Sequence, residues 1–442
     1  MPNRTLVQAL AASFLAGEMN VELVTARGMR TLGRRWRWLW PLARRYVNTF
    51  RVGVRPSSPD VIRFLKTDEG FLRACSKYSQ ELSVKHWLNR SQRMLPVPAS
   101  RSWNVPPIET PWALAEWLGI TIHDLLWFAD LKGLRYRKSS PQLRHYHYRI
   151  LIKRSGAVRL IEAPKARLKA LQRQILTQIL NKVPPHPAAH GFLKGRSIKT
   201  FVVPHASKRV VVRMDLRDFF PTIGAARIQS FFRAAGYPDS VADLLAGICT
   251  NAAPRDVWER PGLDVDRALL REARDLYSRP HLPQGAPTSP ALANLCAYRV
   301  DCRLAGFARS VAADYSRYAD DLAFSGDEPF EKCVERFSIH VAVILHEEGF
   351  AVHHRKTRIM RQGVRQHLAG LVTNDHVNIM RPDFDRLKAI LTNCARLGPS
   401  SQNRDGHPRF RAYLEGRVAF VVMINPAKGE RLREILHKIQ WP

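Results

Sequence analysis

The pattern of apolar and polar positions predicts strands in the middle of the chain. Apolar runs flanked by basic residues, over 149–153 and 158–161, surround Ser155-Gly156 and predict a β-hairpin. A β-branched run predicts a buried strand over 210–216. The segment 315–324 predicts two strands joined by a turn that carries two acidic residues.

Helical periodicity fills most of the remaining chain. Prolines over 96–107 mark a break, after which Thr110-Pro111 and Thr121 begin two short helices as N-cap residues. Longer apolar periodicity predicts further helices over 167–180, 225–235 and 239–249, and from Ser289 to about Ala308. Helices that alternate with hairpins indicate an α+β fold.

Composition narrows the functional classes. The 442 residues allow about three domains, and 45% hydrophobic residues exclude a disordered chain. An excess of 70 Lys+Arg over 38 Asp+Glu gives a net charge of +32, which favours nucleic acid as a partner and an anionic membrane surface second. No apolar run approaches the length of a membrane span, so we expect a cytoplasmic protein. The six cysteines lack CxxC spacing and are expected to be reduced thiols.

The first 59 residues contain Arg but no Lys. Between Arg34 and Arg45, arginine alternates with Trp36, Trp38 and Trp40. Guanidinium groups grip phosphates and indole rings stack on bases, so this segment could bind RNA. An amphipathic helix that buries its tryptophans explains the same pattern equally well.

Three aspartates are the strongest candidates for chemistry. Asp215 ends the predicted buried strand, and Asp320-Asp321 lies at the predicted hairpin tip. Nucleotidyl transfer uses two divalent ions about 4 Å apart, held by clustered carboxylates, and Mg²⁺ prefers such oxygen ligands. Because an Asp-Asp turn alone is usually a solvated loop, the neighbouring motifs decide its meaning.

Four motifs follow one another in a diagnostic order. They are Arg-Met-Asp-Leu-Arg-Asp-Phe-Phe (213–220), Leu-Pro-Gln-Gly-Ala-Pro-Thr-Ser-Pro (282–290), Tyr-Ala-Asp-Asp (318–321) and His-Arg-Lys-Thr (354–357). Together they resemble the palm motifs of reverse transcriptases. The resemblance extends from about residue 145 to the C-terminus and is strongest to the retron-type enzymes of bacteria, through Gln284 to Leu295.

The resemblance implies an α+β right-hand polymerase with fingers, a palm with an antiparallel sheet and a helical thumb, preceded by a basic helical N-terminal extension. The expected boundaries are 1–110 for the extension and linker, 111–209 for a helical lead-in and the fingers, 210–365 for the palm, and 366–442 for the primer grip and thumb.

Site residues follow from the same resemblance, residue by residue. Asp215, Asp320 and Asp321 match the ligands of two Mg²⁺ ions, for which Mn²⁺ could substitute. Phe220 matches the gate that excludes a ribose 2′-hydroxyl. Gln284 matches a residue that contacts the incoming dNTP, and Asp218 is assigned to the same substrate site.

Basic residues complete the expected site. Lys153 and Arg159 resemble the fingers residues that cover the triphosphate, although a solvated surface is an equally good explanation of each. Lys356 resembles a general acid for the departing pyrophosphate. Lys194 and Arg196 resemble template or primer contacts, in a segment where His190 is expected to be a packed histidine.

Two departures from the retron pattern fall where the partner RNA is thought to bind. Retron enzymes often carry Asn-Ala-x-x-His, whereas Asn251-Ala252 is followed at that spacing by Arg255. They also carry Val-Thr-Gly at the thumb entry, whereas Leu368-Ala369 precedes Gly370 here. We therefore expect Arg255 and Gly370 to contact nucleic acid. An insertion over 254–280 is a further difference.

The expected function is synthesis of short single-stranded DNA from a dedicated structured RNA, primed by a 2′-hydroxyl of that RNA. The expected partners are this RNA, its DNA product, dNTPs and a separate effector protein in antiphage defence, without a membrane. One alternative is a group II intron enzyme, although we expect no maturase or nuclease segment after the thumb-like end. A second is a catalytically silent RNA-binding scaffold. A third is an RNA-dependent RNA polymerase, but Phe220 predicts exclusion of ribonucleotides.

Overall fold

The computed structural model of the protein describes residues 3–50, 56–88, 93–133, 144–152, 156–259 and 265–441. Helices and antiparallel sheets alternate along the chain, which confirms the α+β class. The chain forms two compact units: one comprises Met1–Pro184 and Phe220–Cys296, and the other comprises Pro185–Phe219 and Ala297–Pro442.

The described helices follow one another along both units. In chain order they are α1 (Arg4–Leu15), α2 (Val21–Leu32), α3 (Leu39–Thr49), α4 (Ser58–Thr67), α5 (Glu69–Lys77), α6 (Pro111–Leu118), α7 (Ile122–Ala129), α8 (Ala166–Gln178), α9 (Ile198–Val202), α10 (Phe219–Thr222), α11 (Ala225–Ala234), α12 (Asp239–Cys249), α13 (Arg267–Tyr277), α14 (Ser289–Cys296), α15 (Tyr298–Ser310), α16 (Glu328–Glu347), α17 (Arg381–Leu397), α18 (Phe410–Ile424) and α19 (Pro426–His437).

The strands form three antiparallel sheets. They are β1 (Tyr146–Ile152), β2 (Val158–Pro164), β3 (Val210–Asp215), β4 (Asp314–Tyr318), β5 (Asp321–Gly326), β6 (Arg358–Arg361), β7 (His367–Leu368), β8 (Leu371–Val372) and β9 (Asn378–Ile379). The first unit contains the β1-β2 hairpin, and the second contains a sheet of order β4-β5-β3-β6 and a small sheet of order β7-β8-β9.

The N-terminal helices α1 to α5 share a core of their own. Leu10, Phe14, Leu42 and Tyr46 are among its buried residues. Side-chain caps begin the helices, including a capping box at Ser57 that satisfies otherwise unpaired backbone N–H groups. Packing therefore makes this part of the chain a folded helical structure.

The Arg/Trp segment contributes to this core in part. Trp36 is buried and Trp38 is half-buried, which agrees with the amphipathic interpretation for these two rings. Trp40 is 49% exposed, and the Arg44 guanidinium lies 5.8 Å from its ring centroid. The structure leaves RNA binding by this exposed pair a prediction.

In the second unit, the first half of β3, a central strand of the four-stranded sheet, is apolar. Val210, Val211 and Val212 are completely buried, as the β-branched run predicted. A neighbouring core collects the buried residues of α17, α18 and α19, including Leu391, Leu414 and Leu432. The sheet is thus supported from within its own unit.

The helix predicted from Ser289 to about Ala308 is two helices. It is interrupted at Ala297, where φ is −87° and ψ is −1°, and the second helix continues to Ser310. The interruption coincides with the boundary between the two units. Apolar periodicity continues through a single distorted residue, so the pattern alone could not indicate the break.

Across the described ranges, no helix combines the length and apolarity that crossing a bilayer requires. The six cysteines are free thiols, as expected from their spacing.

Candidate active site

The sheet of the second unit brings the two halves of the predicted carboxylate cluster together. β3 and β5 run antiparallel, and their register places Asp215 directly opposite Asp321. Asp320 lies in the two-residue loop between β4 and β5, where Tyr318 pairs with Asp321. The Leu216 N–H donates to the Asp320 carbonyl at 2.8 Å, which fastens this loop to the end of β3.

The loop between β4 and β5 is a strained turn. Ala319, its first residue, has φ +55°, which costs about 1 kcal/mol or more for a residue with a Cβ. Gly191 lies against it so closely that a Cβ at that position would be 2.7 Å from the Ala319 nitrogen. Such strain persists only where the surroundings determine the backbone.

A buried ion pair supplies part of that support. Arg317 and Asp301 are both completely buried and form two hydrogen bonds, each 2.7 Å long. Arg317 Nη1 also donates to the Ala319 carbonyl at 3.1 Å, and the Tyr315 hydroxyl donates to Asp301 at 2.8 Å. The pair could not be predicted from the sequence, because Asp301 lies on α15 and Arg317 on β4, and their spacing indicates no contact.

Two cations pair with two of the three carboxylates in this conformation. Lys356 Nζ lies 2.9 and 3.0 Å from the two carboxylate oxygens of Asp215. Arg213 donates to Asp321 Oδ1 from Nε at 3.1 Å and from Nη2 at 2.9 Å. Arg213 lies two residues before Asp215 on β3 and therefore on the same face of the sheet, a signal that the sequence already contained.

Among the described residues, no cation pairs as closely with Asp320. Burial raises its pKa above the usual range, and the carboxylates of Asp215 and Asp321 raise it further, while Lys356 and a backbone hydrogen bond oppose the shift. Three carboxylates that repel one another are an arrangement that a bound cation stabilises.

The donor chemistry of this cluster fits a hard divalent cation, since every candidate ligand is a carboxylate oxygen. Across the described residues, however, no three ligating side chains converge to hold one ion in the present conformation. Arg213 and Lys356 instead pair with Asp321 and Asp215. A bound cation therefore requires these side chains to exchange partners.

The chain after Asp215 stays close to the cluster. The Asp215 carbonyl accepts from the His353 N–H at 2.7 Å, just before the 3-10 turn His354–Lys356 that carries Lys356. Asp218 is half-buried and has φ +48°, a left-handed conformation that aspartate tolerates better than most residues. The structure thus places the Lys356 ammonium group beside Asp215, and its role as a general acid stays a prediction.

The basic segment 188–197 lies along the outer edge of β4. His190 N–H donates to the Arg317 carbonyl at 2.7 Å, and the Arg317 N–H donates to the Ala188 carbonyl at 2.8 Å. His190 packs as expected: it is buried beside Thr200, and burial followed by the charge of Arg196 lowers its pKa to about 4. Lys194 and Arg196 are exposed on this segment.

Gly370 lies at a tight turn elsewhere in the second unit. Ala369 and Gly370 are the two loop residues between β7 and β8, and their φ values are +46° and +81°. Two consecutive positive φ values are typical of a two-residue hairpin turn, which glycine accommodates easily. Gly370 therefore has a structural reason to be glycine, and nucleic-acid contact there stays a prediction.

The remaining predicted residues belong to the first unit. Gln284 and Phe220 are half-buried, whereas Arg159 on β2 and Arg255, at the start of a 3-10 turn, are exposed. Lys153 lies outside the described residues. Their predicted roles in binding dNTP or RNA stay predictions.

Arg255 stands where retron enzymes often carry a histidine, and the structure places a different histidine beside Asn251. The histidine that lies beside Asn251 is His281, which directly follows the insertion, and the backbones of the two residues exchange hydrogen bonds of 3.0 and 2.9 Å. Both side chains contact the buried carboxylate of Glu162. Counting residues from Asn251 could not find this histidine.

Comparison with known proteins gives one consistent result. The family model for "Reverse transcriptase (RNA-dependent DNA polymerase)" matches residues 151–379. The Retron Mx65 reverse transcriptase of Myxococcus xanthus is 38% identical over 86% of this chain and 82% of its own length. The Retron Mx162 enzyme of the same organism is 34% identical over 75% and 67%, and the Retron Ec86 enzyme of Escherichia coli is 28% identical over 72% and 85%.

Proposed function

The chain belongs to the retron reverse transcriptases and is an RNA-directed DNA polymerase, and we propose that it copies part of one dedicated structured RNA into a short single-stranded DNA. The observation that carries the proposal is the register that puts Asp215 opposite Asp321, with Asp320 in the adjoining turn. Retron reverse transcriptases act on an RNA template and make DNA. The relatives named above favour a retron enzyme over a group II intron enzyme.

Divalent metal ions serve reverse transcriptase domains in general, and for this chain we propose two Mg²⁺ ions, with Mn²⁺ as a substitute. Asp215, Asp320 and Asp321 would hold them. When bound, such ions activate the attacking 3′-hydroxyl and stabilise charge on the leaving pyrophosphate. In this proposal the sheet with β3 and β5 is the palm, β1 and β2 belong to the fingers, and α17 to α19 form the thumb.

The protein's own groups have separate tasks in this proposal. Lys356 releases Asp215 when a cation binds and is then available to protonate the departing pyrophosphate. Arg213, through its two hydrogen bonds to Oδ1, orients Asp321 before the cation binds. Arg317, through the Ala319 carbonyl, keeps the strained turn in place, so that little reorganisation is required during the reaction.

Substrate and template contacts follow the family pattern. Gln284 and Asp218 contact the incoming dNTP, Phe220 excludes ribonucleotides, and Lys194 and Arg196 contact phosphates of the template or primer. Lys153, Arg159, Arg255 and Gly370 complete the proposed contacts, the first two with the triphosphate and the others with RNA.

Priming by a 2′-hydroxyl of the RNA would leave the DNA product covalently attached to it. We place the activity in the bacterial cytoplasm, and we propose that the RNA–DNA product controls a separate effector protein in antiphage defence. The net charge of +32 suits a protein that remains bound to such a polyanion.

The test is to express the protein with its flanking genomic DNA and to analyse small nucleic acids on a denaturing gel. We expect a DNA band whose mobility increases after ribonuclease treatment and which is absent from Asp320→Asn/Asp321→Asn. Absence of the band with the wild type, or its persistence in the double variant, contradicts the proposal. A DNA product without attached RNA contradicts the self-priming step alone.

A further inference from the structure

Glu162 and His281 form a fully buried pair in the first unit. Glu162 lies on β2 and is completely buried, and His281 is 1% exposed. His281 Nε2 lies 2.8 Å from Glu162 Oε2. Burying a carboxylate is costly unless it is paired and hydrogen-bonded, so a pair in this position requires a reason.

The hydrogen-bond partners of His281 match those of a positively charged imidazolium. Its Nε2 faces the Glu162 carboxylate, and its Nδ1 lies 2.7 Å from the Arg279 carbonyl oxygen. With Glu162 ionised, both partners are acceptors, so both ring nitrogens donate, which only the imidazolium does. Burial lowers the pKa of His281, but the Glu162 charge and the two hydrogen bonds outweigh burial and raise the pKa above its ordinary value.

Asn251 satisfies the other oxygen of the carboxylate. Its Nδ2 donates to Glu162 Oε1 at 2.7 Å and to the Tyr148 hydroxyl at 3.0 Å. Each oxygen of Glu162 therefore accepts one hydrogen bond, and each N–H of the Asn251 amide donates one. A network in which every member is satisfied holds one geometry rather than several.

Backbone contacts of Glu162 and of the residue after His281 fix the chain around Gln284. The Glu162 N–H donates to the Gln284 carbonyl at 2.8 Å, and the Leu282 N–H donates to the Ile223 carbonyl at 3.1 Å. Gly285 has φ +135°, and a Cβ there would lie 2.8 Å from the Glu162 carbonyl oxygen. Glu162 thus holds the Gln284 carbonyl and lies directly against Gly285. On the other side of Gln284, the hydrogen bond to Ile223 holds Leu282, the residue that follows His281.

We propose that Glu162, His281 and Asn251 form a positioning unit that holds residues 282–285 so that Gln284 binds the incoming dNTP. The inference rests on the proposed contact between Gln284 and dNTP. None of the three residues touches the substrate in this account, and each acts through the backbone of the segment that contains Gln284.

The experiment measures KM for dNTP and the dissociation constant of an RNA template annealed to a DNA primer. For His281→Leu we expect dNTP KM to rise about 10- to 100-fold, the penalty of a misplaced substrate contact, for all four dNTPs and with unchanged template–primer binding. His281→Gln restores one donor toward Glu162 and recovers much of the KM. Asn251→Ala is a milder truncation that raises KM in the same direction and serves if His281→Leu does not fold.

A double-variant cycle separates positioning from general destabilisation. If His281 acts through Gln284, His281→Leu combined with Gln284→Ala raises KM no further than Gln284→Ala alone, whereas independent effects would multiply. Tyr237→Phe is the matched control, since it removes a buried hydrogen bond to the Pro106 carbonyl in the same unit. We expect its KM to stay at the wild-type value.

The outcomes distinguish two failures. An unchanged dNTP KM in Gln284→Ala overturns the proposed contact of Gln284 and the inference with it. A raised KM in Gln284→Ala, together with an unchanged KM in the folded His281 and Asn251 variants, overturns the inference alone. The inference is also overturned if His281→Leu and Gln284→Ala multiply each other's effect on the dNTP KM. An equal rise of this KM in Tyr237→Phe overturns it as well.

Discussion

Replacing Gly191 by alanine tests whether the backbone of the catalytic turn is held by its neighbours. The added Cβ would lie 2.7 Å from the Ala319 nitrogen and 3.4 Å from the Tyr318 carbonyl carbon. Ordinary van der Waals contact begins near 3.4 Å, so the two backbone segments must separate by about 0.7 Å. Because the close contact is with backbone atoms, no side-chain rotation can relieve it.

That displacement acts directly on Asp320, the next residue of the turn. A misplacement of about 1 Å at a reacting centre can reduce the rate about 100-fold. For Gly191→Ala we therefore expect kcat to fall about 10- to 50-fold, with a small change in template–primer binding. The assay is single-turnover extension of a DNA primer on an RNA template at saturating dNTP.

Gly195→Ala is the matched control in the same segment. Gly195 has φ +76°, and no neighbouring heavy atom of the described residues lies within 4 Å of the position that its Cβ would occupy. Alanine there costs about 1–2 kcal/mol of conformational strain but does not push on the turn. We expect its kcat to stay within about twofold of the wild type. A wild-type kcat in Gly191→Ala would show that the close contact with Gly191 does not determine the backbone of the turn.

Three further predictions concern buried and charged groups. Arg317→Met leaves Asp301 as an uncompensated buried carboxylate, so we expect the free energy of unfolding, measured with urea, to fall by about 3–5 kcal/mol. Burial lowers the pKa of His205 to about 3, so below about pH 6.5 the unfolded chain binds a proton at this residue that the folded state does not bind. As the pH decreases below about 6.5, we therefore expect the free energy of unfolding to fall by up to about 1.4 kcal/mol per pH unit. Lys356→Ala removes the cation beside Asp215 and the proposed general acid, and we expect kcat to fall about 100-fold.

Each of these predictions has its own control. Asp301→Asn combined with Arg317→Met removes the stranded charge and should recover part of the lost stability; no recovery would contradict the buried-charge explanation. His205→Leu should reduce the acid-dependent slope, and an unchanged slope would assign it to other groups. Lys356→Arg keeps a cation near Asp215 but transfers a proton poorly, so wild-type turnover in this variant would exclude the general-acid role.

The sequence predicted those parts of the site that short chain segments encode. Asp215 follows a β-branched run, and Asp320 and Asp321 share one turn, so local patterns could assign all three to converging strand ends. Arg213 was missed although it lies two residues before Asp215. In a chain with 70 Lys and Arg residues, a single arginine carries little information until its partner is known.

Contacts between distant segments could not be predicted. Asp301 and Arg317 meet only after a helix and a strand have packed together, and nothing in their spacing indicates a buried pair. His281 was hidden by the insertion, because counting three residues from Ala252 reaches Arg255. The helix interruption at Ala297 likewise leaves no mark in the apolar pattern.

The catalytic role of Asp215, Asp320 and Asp321 is tested most directly by primer extension with the purified protein on a defined RNA template with dNTPs and Mg²⁺. We expect DNA synthesis by the wild type and none by Asp215→Asn or by Asp320→Asn/Asp321→Asn, although these variants fold and bind the template with unchanged affinity. DNA synthesis by the folded variants at the wild-type rate, or its absence in the wild type, would contradict the assignment of these carboxylates to the catalytic site.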